Sequence, residues 1–301
     1  VGEHFVVWGG TALALPLTCL KLTVELTAEP GARNRVLFAD GIHDKQRLAA
    51  ARQAMTELVK KPNLSLTVNT AADFPAAAGL GASAAFSVAF ARAIFAVRGE
   101  EPDEDLVAQV ALAMEEHFHG APSGIDSTVV AFETPCYVKT GTRFVVPTPE
   151  ESHGPLAGFI DVAPGGVFVL GDTGERSSTE QVVAKVAEFG ARPKGKRVLE
   201  RFTGVAESIA LQTATALKRG DYEFVGIMFS ENHYLLNAIG VSTDRTEELR
   251  LAALDAGALG AKLTGAGMGG FVLSVAWPDD VDSVIAGFKN AGAKSVIVQE
   301  V

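Results

Sequence analysis

Two glycine-rich segments constrain this chain more than any other feature of its sequence. Pro75 to Ala85 reads PAAAGLGASAA, and Lys262 to Gly270 reads KLTGAGMGG between two apolar segments. Glycine adopts positive φ easily and lets the backbone approach a ligand or another chain segment closely. The second segment has four glycines within six positions, more than a hairpin turn requires. It therefore predicts backbone contact, either with a ligand or with the first glycine segment.

The first glycine segment precedes a predicted helix. Helix N-termini attract anions because their first N–H groups lack intrahelical acceptors. Gly79 and Gly81 therefore favour a phosphate-binding loop, with an ordinary tight turn as the alternative. The spacing matches neither GxxxxGK[ST] nor a complete GxGxxG, so the two standard nucleotide fingerprints do not apply. Ser83 could touch a phosphate or its Mg²⁺, or it could cap the helix.

The composition excludes several classes of function. The 301 residues carry 26 basic and 36 acidic side chains, and the resulting net charge of −10 repels nucleic acids. Apolar segments without charge stay shorter than the about 18 residues of a membrane-spanning helix. Cys19 and Cys136 are too few for a disulfide framework and indicate a reducing compartment. We expect a soluble cytoplasmic protein with no nucleic-acid or membrane partner, and the oligomeric state, monomer or homodimer, stays open.

Hydrophobic periodicity predicts an α+β protein with two domains. Strand-like and helical patterns are mixed in both halves without a regular βαβ repeat, which argues against a doubly wound parallel sheet. A polar segment rich in Pro and Gly, 147–155, predicts the boundary between domains 1–150 and 151–301. Helices are predicted over 46–60, 82–97, 101–118, 178–190, 196–219, 221–237 and 281–290, with a further helix ending before Gly257. Strands are predicted over 21–27, 64–68, 129–146, 167–170, 261–263, 271–277 and 295–298.

A third segment, Glu115 to Asp126, reads EEHFHGAPSGID. It combines a predicted helix end, a turn and an aspartate at the start of a predicted apolar strand, where burial is costly without compensating charge or hydrogen bonds. Asp126 is therefore a candidate to face Mg²⁺ or a reacting hydroxyl, with a turn-capping role as the alternative. Glu115 alone would usually be a solvated helix residue. His117 and His119 are two positions apart and lie on different sides of a helix, which argues against a metal pair.

Together these segments resemble the three motifs of the GHMP kinase superfamily, and most closely those of its mevalonate kinases. The stretch GEHFVVWGG resembles the start of these enzymes, PAAAGLGASAA the ATP-phosphate loop, HGAPSGID the segment with the catalytic aspartate and KLTGAGMGG the third motif. Gly171 to Thr179, GDTGERSST, resembles a further segment of mevalonate kinases. The resemblance covers nearly the whole chain. It implies a two-domain fold with the active site in the cleft between the domains. It also implies ATP- and Mg²⁺-dependent phosphorylation of the primary hydroxyl of mevalonate, in isoprenoid precursor biosynthesis.

The resemblance also implies residue roles, carried over position by position. Asp126 would face the substrate hydroxyl as catalytic base or electrostatic partner, and Ser83 and Glu115 would coordinate Mg²⁺. These roles suit phosphoryl transfer, which requires chiefly positioning and charge neutralisation. The ATP phosphates would be wrapped by Gly79, Leu80, Gly81, Ala82, Ser83, Ala84 and Ala85. Mevalonate would lie near Glu3, His4, Thr173, Gly265 and Ala266.

Three departures from the family pattern accompany this resemblance. A lysine that usually stands shortly before GEH would precede Val1, Ala82 replaces the first of two serines, and Met268 replaces a glycine of the third motif. The alternatives are another GHMP kinase, such as a phosphomevalonate kinase or a mevalonate 3-kinase, and a catalytically silent sensor of ATP or an isoprenoid precursor. A second substrate phosphate would require a basic cluster, but Arg176 is the only basic residue near GDTGERSST. Lys262 could reach a phosphate, or it could be a solvated lysine at a strand end.

Overall fold

The computed structural model describes residues 1–31, 33–39, 44–59, 64–75, 78–119, 122–139 and 157–301. Its helices are α1 (Lys45–Leu58), α2 (Ala82–Arg98), α3 (Glu104–His119), α4 (Ile125–Phe132), α5 (Thr179–Ala191), α6 (Pro193–Arg219), α7 (Tyr222–Ala238), α8 (Asp244–Asp255) and α9 (Val281–Asn290). Its strands are β1 (Thr11–Ala14), β2 (Leu22–Pro30), β3 (Arg35–Phe38), β4 (Leu64–Ala72), β5 (Cys136–Lys139), β6 (Ala157–Phe159), β7 (Val167–Asp172), β8 (Gly260–Leu263), β9 (Phe271–Ala276) and β10 (Val296–Glu300). The α+β class is confirmed. Within the described residues, none of the helices has the combination of length and apolar character needed to cross a membrane.

The chain packs into two compact units. Unit 1 comprises Val1–Cys19, Ala76–Leu80 and Thr134–Val301, and unit 2 comprises Leu20–Pro75 and Gly81–Glu133. The first 19 residues thus pack with the C-terminal part of the chain. The segment 147–155 lies outside the described residues, so the domain boundary there stays a prediction.

Unit 2 is built on a three-stranded sheet in the order β2-β4-β3, with helices α1 to α4. β2 pairs antiparallel with the central strand β4, and β3 pairs parallel with it. The core of this unit includes Leu66 and Val68 of β4 and Phe86 and Phe90 of α2. Most positions of α2 are buried or half-buried, as its apolar sequence predicts.

The segment after HGAPSG is helical where the sequence predicts a strand. The prediction of a strand over 129–146 is wrong at its beginning, because α4 extends to Phe132, and the strand β5 starts only after the helix. Gly124 precedes α4 in the left-handed conformation, and its carbonyl accepts a hydrogen bond from the Thr128 hydroxyl over 2.8 Å. β-branched residues such as Val129 favour strands locally, but tertiary packing overrides so weak a preference. Asp126 therefore lies in the first turn of a helix, near the positive end of the helix dipole.

Unit 1 contains the sheets β1-β5-β6 and β10-β7-β9-β8, with helices α5 to α9. Neighbouring strands in both sheets run antiparallel. Every residue of β7 is buried in the interior of the four-stranded sheet. The edge strand β8 is also buried at all four positions, because α7 and α8 pack against it. This strand leads into the second glycine segment and so anchors one end of it.

The two glycine segments touch each other within unit 1. A Cβ atom on Gly265, whose φ is 71°, would lie 2.7 Å from the Cα atom of Gly79. A Cβ atom on Gly270 would lie 2.7 Å from the carbonyl oxygen of Ala78. Both distances are far below the about 3.5–4.0 Å of normal nonbonded contact. The prediction of backbone contact with the first glycine segment is confirmed.

Replacing Gly265 by alanine should lower the free energy of unfolding by at least about 2 kcal/mol. The left-handed backbone strains an alanine, and the added methyl group would collide with Gly79. Urea unfolding followed by circular dichroism measures the change. Gly204, which is exposed in α6, is the matched control because no atom of the described residues lies within 4 Å of its Cβ position. Gly204→Ala should stabilise the protein by up to about 1 kcal/mol through helix propensity. A Gly265→Ala protein as stable as the wild type would contradict the contact.

Candidate active site

An acidic cluster lies where three helices of unit 2 meet, with Glu115 buried, Ser83 half-buried and Asp126 exposed. Ser83 is in the first turn of α2, Glu115 is in the last turns of α3 and Asp126 is in the first turn of α4. The Ser83 hydroxyl donates a hydrogen bond to Oε1 of Glu115 over 2.9 Å. Glu115 is only 2% exposed, so the expectation of a solvated helix residue is wrong.

The negative charge of Asp126 affects the pKa values of its neighbours Glu115 and His119. Burial, together with the neighbouring charge of Asp126, raises the pKa of Glu115 to about 8, and the hydrogen bond from Ser83 offsets only part of this rise. Burial also lowers the pKa of His119, while the charge of Asp126 acts in the opposite direction. A buried carboxylate whose ionisation a second negative charge disfavours forms a site that a cation would stabilise.

Ser83 does not cap its helix. The N-cap position of α2 is Gly81, at φ 71°, and no described side chain accepts a hydrogen bond there. The Ser83 hydroxyl instead lies 2.9 Å from Oε1 of Glu115 and 2.9 Å from Nε2 of His119. Because the N–H of Ala85 bonds to the carbonyl of Gly81, the N–H groups of 82–84 come before the first intrahelical bond. This helix end suits a phosphate group.

The atoms of the cluster fit Mg²⁺. This cation prefers oxygen ligands and is commonly held by one or two carboxylates, water and substrate phosphates. Ser83, Glu115 and Asp126 offer oxygen atoms only. Among the described residues, no group of three or more His, Cys, Asp or Glu side chains could hold a metal ion by itself. The arrangement therefore suits a cation shared with a nucleotide phosphate and does not suit a closed structural metal site.

In unit 1, Glu3 forms a buried ion pair with Lys262. The Lys262 side chain is 1% exposed and donates hydrogen bonds to Oε1 of Glu3 and to the carbonyl of Leu263. The expectation of a solvated lysine is wrong, because β8 is covered on both faces. Oε2 of Glu3 is buried without a hydrogen-bond partner among the described residues. An acceptor of this kind is costly when unpaired and can accept a hydrogen bond from a substrate hydroxyl.

His4 and Ala266, both predicted to lie near the substrate, bond to each other. Nε2 of His4 is 2.6 Å from the carbonyl oxygen of Ala266. A carbonyl only accepts, so Nε2 carries the proton. Burial lowers the pKa of His4 and so favours the neutral ring, although the bond to Ala266 acts against the shift. Nδ1 of the neutral ring is then available as an acceptor.

Thr173 ties the GDTGERSST segment to the second glycine segment. Its hydroxyl donates to the carbonyl of Gly270 over 2.7 Å, and its N–H donates to the same carbonyl over 2.9 Å. The N–H of Gly270 donates in turn to the carbonyl of Glu175 over 2.9 Å. These bonds brace the glycine segment, and the place of Thr173 beside a substrate stays a prediction.

Met268 adopts the left-handed conformation, with φ at 54°. L side chains seldom occupy this region, which suits the glycine that the family usually has here. The N–H of Met268 donates to the carbonyl of Val241 over 2.7 Å, and its side chain packs against an apolar cluster that includes Leu263. Nζ of Lys185 lies 3.4 Å from its sulfur atom. Backbone bonding and packing thus hold the methionine in this strained conformation.

Sequence reasoning missed His233, which is at the centre of a buried network beside β8. Nδ1 of His233 accepts a hydrogen bond from the N–H of Leu263 over 3.2 Å, so Nε2 carries the proton and donates to Glu247 over 2.6 Å. Glu247 also accepts from the Ser242 hydroxyl and from Arg250. The only signal in the sequence is a histidine on the apolar face of a predicted helix, which does not distinguish a core residue from a site residue.

Comparisons with known proteins show the family to which this chain is similar. The family model described as GHMP kinases N terminal domain matches residues 47–134, and that described as GHMP kinases C terminal matches residues 213–294. The chain is 30% identical to the mevalonate kinase of Pyrococcus furiosus, over 99% of this chain and 92% of that protein. It is also 30% identical to the mevalonate kinase of Aeropyrum pernix, over 91% of this chain and 85% of that protein.

Solved structures extend the similarity to the fold. L. major mevalonate kinase in complex with R-mevalonate matches with a TM-score of 0.78 at 25% identity, covering 100% of this chain and 92% of that one. Streptococcus pneumoniae phosphomevalonate kinase in complex with phosphomevalonate and AMPPNP matches with a TM-score of 0.76, covering 100% of this chain and 96% of that one. Its sequence identity is 16%, so this second likeness concerns the fold alone.

Glu3 should make the protein less stable in acid. Burial acts to raise its pKa, but the charge of Lys262, the charge of the Val1 amino group and the hydrogen bond of Lys262 together outweigh burial and hold the pKa at about 2, below the ordinary 4.5. The ionised carboxylate therefore stabilises the fold above pH 4.5, and this contribution of up to about 3 kcal/mol is lost as the pH falls toward 2. Urea unfolding at a series of pH values from 7 to 3 measures the loss.

Glu3→Gln should flatten this part of the pH profile, since the amide does not titrate. Glu231→Gln is the control, because Glu231 is an exposed residue of α7 in the same unit, and its profile should match the wild type. A Glu3→Gln protein that loses stability below pH 4.5 as steeply as the wild type would refute the assignment to this ion pair.

Proposed function

The chain belongs to the GHMP kinase family, and we propose that it transfers the terminal phosphate of ATP to the primary hydroxyl of mevalonate. The products are 5-phosphomevalonate and ADP, and the reaction serves isoprenoid precursor biosynthesis. Matches to both domains of the family support the kinase activity. Similarity to mevalonate kinases along nearly the whole chain supports mevalonate as the acceptor.

The transfer forms a bond between the substrate hydroxyl oxygen and the γ-phosphorus, breaks the bond to the bridging oxygen of ADP and releases the hydroxyl proton. In the proposed mechanism, Asp126 orients the hydroxyl and accepts this proton. Its position in the first turn of α4 supports the ionised state that this role requires, because the positive end of the helix dipole favours its negative charge. General base catalysis of this kind typically contributes about 10²–10⁴-fold to the rate.

Ser83 and Glu115 are proposed to hold Mg²⁺, which neutralises charge on the ATP phosphates when it is bound. Their contact places a hydroxyl oxygen and a carboxylate oxygen 2.9 Å apart at the start of α2. The N–H groups of 82–84 are proposed to bind the phosphates, together with the loop that begins at Gly79. Ala82 still contributes its backbone N–H group, although it lacks the hydroxyl that many family members have there.

Residues of unit 1 are proposed to bind mevalonate. Oε2 of Glu3 and Nδ1 of His4 are acceptors and suit hydroxyl groups of the substrate. Lys262 holds Glu3 and the carbonyl of Ala266 holds His4, so both acceptors are oriented before the substrate arrives. Thr173 and Gly265 support the loop that carries Ala266, the former by bonding to Gly270 and the latter by packing on Gly79.

The observation that carries the phosphoryl-transfer proposal is the contact of Ser83 with the buried Glu115 beside Asp126. Burying a carboxylate close to a second one raises the free energy of the fold. A bound cation that also binds phosphates would compensate this unfavourable charge. A silent sensor of ATP could use the helix N-terminus and the metal ligands, but it would not need Asp126 as a group that acts on an acceptor hydroxyl.

A coupled assay that measures ADP release should show turnover with mevalonate and much slower turnover with phosphomevalonate, homoserine or galactose. Asp126→Ala should lower kcat by at least about 10²-fold while equilibrium dialysis shows ATP binding close to the wild type. In the proposed mechanism the aspartate acts on the acceptor hydroxyl, and nucleotide binding persists because Ser83 and Glu115 still hold the metal. A folded wild-type protein that does not turn over mevalonate would contradict the proposed function.

Glu115→Gln should raise the Mg²⁺ concentration needed for half-maximal turnover by about tenfold or more, because the amide removes one charge from the metal site. Glu116→Gln is the matched control. Glu116 is the adjacent residue of α3 and is exposed, so its substitution should leave the Mg²⁺ requirement unchanged. Equal effects of the two substitutions would show that the net charge of the helix, and not the buried site, sets the requirement.

A further inference from the structure

His119 is the last residue of α3 and lies against the acidic cluster. Its Nε2 is 2.9 Å from the Ser83 hydroxyl oxygen and 4.0 Å from Oε1 of Glu115. The side chain is 29% exposed, so it is partly covered by its neighbours. The sequence excluded a metal pair of His119 with His117 and assigned neither histidine a role.

His117 has different neighbours although it is only two positions away. Its Nε2 is 2.6 Å from the side-chain oxygen of Gln53 on α1. The two histidines therefore lie on different faces of α3, as their spacing predicts. Of the two histidines, only His119 contacts the acidic cluster, so His117 can serve as a control on the same helix.

The hydrogen-bonding capacity of the Ser83 hydroxyl determines which atom donates in its contact with His119. A hydroxyl has one proton to donate and two lone pairs to accept with. When Glu115 is ionised, as a carboxylate must be to bind a cation, Ser83 gives its proton to Oε1 of Glu115. The contact with His119 must then run from Nε2–H to the Ser83 oxygen. One lone pair of that oxygen stays available for a further partner.

We propose that His119 is a positioning residue for Ser83: it fixes the rotamer of the serine so that the free lone pair of the hydroxyl is presented to the metal–nucleotide complex. Two bonds, one donated and one accepted, define the direction of that lone pair, whereas the bond to Glu115 alone leaves the hydroxyl free to rotate about it. The assignment rests on the proposed function, because it takes Ser83 to be a ligand of the metal or the phosphates.

The stability of the fold does not explain this contact. A single hydrogen bond at a partly exposed site contributes little to folding. Groups that orient a metal ligand, in contrast, typically change metal affinity or activity by about 10–100-fold when they are removed. The two roles therefore predict different measurements, and the metal–nucleotide affinity distinguishes them.

The test measures binding of Mn²⁺, as a probe for Mg²⁺, to the protein with AMPPNP by electron paramagnetic resonance. It also measures kcat and KM for ATP with mevalonate. His119→Ala should weaken Mn²⁺ binding and raise the KM for ATP by about tenfold, with thermal unfolding close to the wild type. His119→Gln should recover most of the affinity, because a glutamine amide can place an N–H near the position of Nε2. His117→Ala, the matched control, should bind Mn²⁺ like the wild type.

A double-mutant cycle with Ser83→Ala isolates the action through the serine. If His119 acts through Ser83, adding His119→Ala to Ser83→Ala should cause no further loss of Mn²⁺ affinity. Losses that multiply in the double variant, or an equal loss in His117→Ala, would overturn the proposal. The binding measurement requires no mevalonate. A wild type that binds Mn²⁺ and AMPPNP without phosphorylating mevalonate would therefore count against the proposed function, while the cycle still decides the role of His119.

Discussion

The backbone contact of Gly265 with Gly79 is the constraint on which the proposed substrate side of the site depends. It fixes the course of the second glycine segment, whose carbonyl groups then serve as acceptors for side chains from other parts of unit 1. Ala266 accepts from His4, and Gly270 accepts from Thr173. A side chain at position 265 would displace both carbonyls together. Because these glycines have no Cβ atom, the two loops can lie against each other, and the course of one loop fixes that of the other.

The two units shift the pKa of a glutamate in opposite directions. In unit 1, the carboxylate of Glu3 is compensated by Lys262, and the pKa of Glu3 is low. In unit 2, Glu115 faces a hydroxyl group and feels a second negative charge, and its pKa is high. The first arrangement holds a side chain in one orientation, and the second suits a cation. Net charge of −10 therefore says little about the local fields that an anionic nucleotide would meet.

The sequence predicts most helices and strands well, because their apolar periodicity reflects packing on one core. The helix α2 lies within one residue of its predicted range, and the strand β4 starts at its predicted residue but continues four residues further, to Ala72. The strand prediction is wrong at α4 for a physical reason. A short apolar segment such as the one containing Val129 is compatible with a strand or a helix, and only the elements that pack on it distinguish the two. The roles of the site residues came from family resemblance. Burial of Glu115 and Lys262 was invisible, since it depends on segments distant in the chain.

Two bonds of the substrate side join residues that are very far apart in sequence. Lys262 and Glu3 are separated by 259 positions, and Ala266 and His4 by 262. Contacts of this range form late, since the loop they close must first be ordered. During synthesis at about 5–20 residues per second, the first residues of the chain emerge long before their partners exist. The polypeptide can therefore orient these proposed substrate-binding acceptors only after β8 has been made, about 260 positions downstream of Glu3 and His4.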